Sequence, residues 1–174
     1  QGYSSAASDV YKRQGLNTPV NLNIPGEGRP KIKHPIKDKN RWYKTTLPWM
    51  TFGYEIQIPP IYTLMFYNAI ANGGEMIKPI FVKEISKDGV IIETKKTETV
   101  NPQICTPKTL AQIQQMLTDV VQKGTAGPVK SDYVKIAGKT GTAQIAQGAA
   151  GYRGNGKQHR VSFCLLYTSP SPRD

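Results

Sequence analysis

Long apolar runs are missing from this sequence. Nowhere do eighteen apolar residues follow one another, so no helix read from it is long enough to cross a bilayer. Nor does the chain open on the basic, apolar and small-residue succession of a secretory leader. Cysteine is scarce, with only Cys105 and Cys164, and neither stands in a spacing that would hold zinc. The two histidines, His34 and His159, are isolated and read as structural or exposed residues, His159 having a second reading as a basic residue beside a ligand groove. Acidic residues are few. Twelve Asp and Glu face 23 Lys and Arg, for a net charge of +11. Such a balance suits an acidic partner: nucleic acid, an anionic membrane surface or an anionic wall polymer. Charge alone does not choose among them.

The two ends stand apart from the rest. Ser4–Gln14, "SSAASDVYKRQ", and Cys164–Asp174, "CLLYTSPSPRD", back-translate without mismatch into the two transposase adapters of tagmentation sequencing libraries. The adapters' complementary cores lie at opposite ends, as in a library insert. Residues 1–14 and 164–174 are therefore expected to be adapter-coded scars, and 15–163 to be an insert that begins and ends inside a gene. Without Lys12, Arg13, Arg173, Asp9 and Asp174 the charge is still +10. Cys105 is then the one native cysteine, and an isolated cysteine is most often a small buried apolar residue.

Within the insert, residues 15–60 are punctuated by Pro and Gly and read as a long surface connection with one short strand. "IPPIYTLMFYNAIANGG" (58–74) predicts a helix. Pro60 suits its first turn, Ile61, Leu64, Met65 and Asn68/Ala69 follow three–four spacing, and Gly73–Gly74 stop it. Residues 78–93 predict a hairpin turning at Asp88–Gly89. "TPKTLAQIQQMLTDVVQKGTAG" (106–127) is the clearest helix. Thr106 would cap it, Pro107 would open it, Gly124 would end it, and Leu110, Ile113, Met116/Leu117 and Val120/Val121 would line one face. Residues 132–146 read as a glycine-interrupted strand, 148–158 as a turn region and 159–163 as another strand. Strands bracket helices without strict alternation, which predicts an α+β fold.

Gly138-Lys139-Thr140 looks at first like the end of a phosphate-binding loop. That motif needs a glycine where this chain has Tyr133, and it needs a helix to follow. "GTAQIA" is a poor start for one. The other reading is the Lys-Thr-Gly strand of serine acyl-transferases that act on D-Ala-D-Ala peptides. A lysine there brings positive charge that assists proton transfer and attracts a carboxylate. A threonine hydroxyl can donate to that carboxylate in a charge-assisted bond. Glycine lets a substrate backbone lie along the strand edge.

Five stretches place that motif in context: "IPGEGRPKI" (24–32), "MTFGYEIQIPPIYTLMFYNAIANGGEMIKP" (50–79), "MLTDVVQKGTAG" (116–127), "VKIAGKTGTAQ" (134–144) and "HRVSF" (159–163). In that order they resemble the transpeptidase domain of class B penicillin-binding proteins, closest to the division-specific peptidoglycan D,D-transpeptidases. The aromatic and charged details resemble Bacteroidota members. The resemblance implies an α+β penicillin-binding fold, an antiparallel sheet covered by helices, of which this chain is a C-terminal part.

It also assigns roles. Lys139 would be the motif lysine at the rim of the active site, Thr140 the second motif residue, and Gly141 the point where peptide or β-lactam approaches. Thr142 would bind the terminal carboxylate through its hydroxyl and lend its N–H to an oxyanion hole. Thr140 has a second reading, with its side chain turned into the domain. Stem peptides ending in D-Ala-D-Ala and β-lactams would be the ligands, with other division or elongation membrane proteins as partners of the parent. No metal, cofactor or nucleic acid is implied. The parent would sit in the bacterial inner membrane with this domain in the periplasm.

The family's Ser-x-x-Lys and Ser-x-Asn occur nowhere in the chain, and Ser131-Asp132-Tyr133 lies too close before Lys139 to be the second motif. Both belong upstream in the family, so the nucleophile is expected outside this sequence, and the chain alone is expected to be inactive. Three other readings compete. A D-Ala-D-Ala carboxypeptidase or β-lactamase relative would share Lys-Thr-Gly without the long 50–79 match. A non-enzymatic β-lactam-sensing or scaffold domain would keep the fold. A nucleic-acid-binding domain would need a recognition module that is not here. Lys31, Lys33, Lys37, Lys39, Arg41 and Lys44 read as a solvated basic face, or else as a contact for anionic wall polymer or a partner protein.

Overall fold

In the computed structural model the described residues are 14–153 and 156–167. They fall into two units, Gln1–Thr106 and Pro107–Asp174. Helices and antiparallel strand pairs make up both, in agreement with the α+β expectation.

In the first unit the central element is α2, Pro60–Ala71, preceded by a short α1, Thr46–Met50. Proline at the start of α2 costs no hydrogen bond, because the first-turn N–H groups have no partner within a helix. The chain leaves the helix through Gly73 at φ 66°, and the Gly74 N–H donates to Ala69 O at 2.8 Å. This is the six-to-one closure of a left-handed C-terminal cap, which a side chain with a Cβ would resist. The buried face of α2 is Tyr62, Met65, Ala69 and Ile70, while Leu64 is 63% exposed. That is a rotation from the expected face. Nearly every residue of the helix is apolar or aromatic, so spacing alone does not select a side.

The expectation of a purely superficial 15–60 segment is also corrected. Leu22, Thr46 and Met50 are buried, and the Val20 N–H donates to the Tyr62 hydroxyl at 3.0 Å. A buried tyrosine needs a partner for its oxygen, and the connection supplies one. Two strand pairs flank these helices. Strand β1, Lys31–Ile32, pairs with β2, Ile56–Gln57, and β3, Met76–Ile77, pairs with β6, Thr99–Asn101. A third pair, β4 (Glu84–Lys87) and β5 (Val90–Thr94), is the expected hairpin. Asp88 and Gly89 both adopt positive φ, 52° and 79°, the pattern of a type I′ turn that matches strand twist.

The second unit holds α3, Pro107–Gln122, and the ladder of β7, Ile136–Gln144, with β8, His159–Tyr167. Leu110, Leu117 and Val121 form the buried stripe of α3, and the helix packs against β7. Met116 is 67% exposed, so the stripe runs through Leu117. The ladder continues past Phe163, where the sequence reading stopped, through Cys164–Tyr167. Its bonds are main-chain ones and therefore tolerate many side chains.

Candidate active site

Nine residues of β7 carry the motif: Ile-Ala-Gly-Lys-Thr-Gly-Thr-Ala-Gln. Their register on β8 pairs Gly138 with Leu165, Lys139 with Cys164, Thr140 with Phe163, Gly141 with Ser162 and Thr142 with Val161. Alternation puts Lys139, Gly141 and Ala143 on one face of the ladder and Gly138, Thr140 and Thr142 on the other. Only β8 pairs with β7 among the described residues, so the second edge of β7 keeps main-chain groups available for an added strand.

The glycines of the motif serve packing as well as access. A Cβ on Gly138 would lie 2.7 Å from both the Phe163 ring and the Cys164 carbonyl oxygen. Its absence lets the Phe163 ring sit against the strand. At Gly141 a Cβ would meet the Ser162 hydroxyl at 2.5 Å. The exposed Lys139 folds its ammonium onto the neighbouring Thr140 carbonyl oxygen, 2.6 Å away. Thr140 is half-buried, and its hydroxyl lies 3.1 Å from that of Thr125, just beyond α3. Thr125 is itself exposed, so this hydroxyl pair stands at the surface of the second unit. Thr142 is exposed.

Sequence reasoning missed two glutamines that hold the segment between β7 and β8. Gln144 donates its side-chain amide to Tyr152 O at 2.8 Å, and Gln147 donates its own to Gly156 O at 2.7 Å. Two main-chain bonds, Gln147 N–H to Gly151 O and Ile145 N–H to Gln158 O, close the same segment. Thr125 was missed as well. A Gly-Thr pair just past a helix end, ahead of a motif strand, is the signal that could have pointed to it.

Other residues are placed away from the motif. His159 pairs with Gln144, five strand residues from Lys139, or about 17 Å along the ladder. The Ser131 hydroxyl accepts from the Tyr133 N–H at 3.1 Å, a local turn bond. An open cavity of about 240 Å³ is lined by Lys37, Asp38, Lys39, Asn40 and Arg41 and contains none of the motif residues. Two of the six cations in that basic stretch are paired, Lys33 with Glu55 at 2.6 Å and Arg41 with Asp38 at 2.9 Å.

The chain is α+β, with Lys-Thr-Gly on a strand that pairs on one side among the described residues, and comparison with known proteins gives its family. The penicillin-binding protein transpeptidase domain matches over residues 4–169, and the chain belongs to that family. The match runs across parts of both ends that were set aside above.

Among curated relatives, penicillin-binding protein PbpB of Mycobacterium tuberculosis is 26% identical over 174 residues, covering 95% of this chain and 24% of that protein. Stage V sporulation protein D of Bacillus subtilis is 28% identical over 160 residues, covering 91% of this chain and 24% of the relative. Penicillin-binding protein 2A of the same organism reaches 33% over 143 residues, covering 78% and 19%. The chain thus spans about a quarter of the length of such relatives. In structure it resembles penicillin-binding protein 3 from Mycobacterium tuberculosis complexed with ampicillin. That comparison gives a TM-score of 0.74 at 24% identity, over 95% of this chain and 37% of that one. The fold is that of part of a penicillin-binding transpeptidase domain.

Proposed function

We propose that this chain is the Lys-Thr-Gly-bearing, C-terminal part of the transpeptidase domain of a class B, division-specific peptidoglycan D,D-transpeptidase. The observation that carries the reading is Gly138-Lys139-Thr140-Gly141-Thr142 on a nine-residue strand with one edge unpaired among the described residues. In the parent, a serine outside this sequence attacks the penultimate D-Ala carbonyl of a stem peptide. The C–N bond to the terminal D-Ala breaks, that D-Ala departs, and an amine of a neighbouring stem peptide takes the acyl group from the serine. Lys139 supplies positive charge beside the nucleophile. The Thr142 hydroxyl binds the terminal carboxylate and its N–H joins the oxyanion hole, where a preorganised donor stabilises developing charge. Gly141 leaves room for the peptide backbone. β-Lactams acylate the same serine. The parent sits in the inner membrane with this domain in the periplasm, among other division proteins. Residues 1–14 and 164–174 are adapter-coded, and long-read sequencing across both ends tests that directly.

The functional test is fluorescent-penicillin labelling of the full-length parent. Labelling is expected, with a drop of about a hundredfold or more in the Lys139→Ala variant, the usual weight of a positioned proton-transfer group. The 174-residue chain by itself should remain unlabelled. A parent that takes no label would favour a scaffold domain of the same fold. Release of free D-Ala without cross-links would favour a carboxypeptidase.

A further inference from the structure

Thr125 sits on the turn that links α3 to the rest of the second unit, and among the described residues its hydroxyl is the polar side-chain partner of Thr140. The turn is tightly held. Ala126 N–H donates to Val120 O at 3.0 Å, and Lys123 N–H to Asp119 O at 2.8 Å. A Cβ on Gly124 would stand 2.9 Å from Val120 O, so glycine is what lets the chain double back there. Because α3 packs on β7 with Leu117 and Val121 buried, Thr125 is delivered to Thr140 by helix packing. It does not arrive there by a flexible reach.

A hydroxyl has one proton to give and lone pairs with which to accept. In the resting pair either oxygen can be the donor. An anion changes that symmetry. Once Thr140 gives its proton to a carboxylate, its only role towards Thr125 is as acceptor, so Thr125 must donate. The result is a chain, Thr125 O–H to Thr140 O–H to carboxylate, in which each bond polarises the next. Thr140 and Thr142 stand on the same face of β7, about 7 Å apart along the strand. A carboxylate meeting Thr142 is thus within reach of the Thr140 hydroxyl as well, since two charge-assisted bonds of about 2.6 Å and the anion's own width cover that gap.

We propose that Thr125 is a positioning residue for carboxylate recognition: it aims the Thr140 hydroxyl proton at the ligand's anionic group. This rests on the reading of β7 as the strand that binds the substrate carboxylate. Thr125 touches no reacting atom and acts through Thr140.

The experiment measures acylation of the full-length parent by benzylpenicillin and by its methyl ester, which lacks the anion. The variants are Thr125→Val, Thr125→Ser, Thr140→Val and the double valine. Thr125→Val is expected to slow acylation by the free acid about five- to tenfold, the weight of one hydrogen bond, and to leave the ester's rate unchanged. Thr125→Ser keeps the hydroxyl and should stay within about twofold of the unaltered protein. The double valine should be no slower than Thr140→Val alone, because the two residues act in series. Equal slowing of both ligands would overturn the proposal and leave Thr125 a packing residue, as would no slowing of either. If the unaltered parent is acylated by neither compound, the transpeptidase reading itself falls and takes this one with it.

Discussion

Asp38 shows how a single half-buried carboxylate organises the basic stretch before α1. One of its oxygens accepts from the His34 N–H at 2.9 Å and the other from the Arg41 guanidinium at 2.9 Å. The His34 amide, and then Arg41, hold the carboxyl below its ordinary value. A carboxyl whose folded pKa lies below its unfolded one stabilises the fold fully above the unfolded value, about 3.9. That contribution is lost as pH falls through the lower folded value. The His34 amide NMR shift should therefore move in step with Asp38 in the acid range below about pH 4. In Asp38→Asn it should stay flat there. A wild-type shift that is flat over the same range would show that the carboxylate does not hold this turn. Around the motif the residue scale is more demanding. Lys139 and Thr142 could be singled out from residue type and order, and both lie exposed on β7. The partner of Thr140 could not, since Thr125 is brought to it only by the packing of α3.

Among the elements, legibility followed amphipathicity. Helix α3 alternates Gln, Lys and Asp with Leu and Val, so its buried Leu110, Leu117 and Val121 stand out in the sequence. Helix α2 has almost no polar face, and its contacts chose Tyr62 and Ile70 over Leu64. The hairpin was legible from Asp88–Gly89 because few other residues accept two successive positive φ angles. Strands β1, β2, β3 and β6 were not clearly legible, being two or three residues long, too short for an alternating pattern. The β7–β8 ladder makes the sharpest element-scale prediction. Gly138→Ala places a methyl group against the Phe163 ring and the Cys164 carbonyl. Such overpacking costs about 1–3 kcal/mol. A fall in chemical-denaturation midpoint, with loss of amide protection concentrated in β7 and β8, is expected. Unchanged stability would mean that the Phe163 ring simply swings aside.

For the whole molecule the open strand edges matter most. Every ladder among the described residues has two strands, so each leaves main-chain donors and acceptors along its outer sides. Apolar residues of these strands stand exposed, including Val90, Ile91 and Ile92 of β5 and Val161 of β8. Exposed apolar edges recruit other chains. The 174-residue chain is expected to associate with rising concentration and to dissolve poorly, as light scattering after size-exclusion chromatography would record. A monomer with a single cooperative melt would contradict this. In the family's longer proteins the same edges have further chain to pair with, since this sequence spans about a quarter of them.

By itself the sequence determined the class of fold, the two long helices, the hairpin turn and the Lys-Thr-Gly strand. Each of those is written in local chemistry: proline at a helix start, glycine where φ is positive, a repeating apolar stripe, a run of small and hydroxyl residues. Tertiary structure decided which side of α2 is buried, the residue-by-residue pairing of β7 with β8, the part of Gly138 in seating Phe163, and the meeting of Thr125 with Thr140. Those depend on contacts between residues far apart in the chain, and the energy of a packed contact carries no mark at either residue alone.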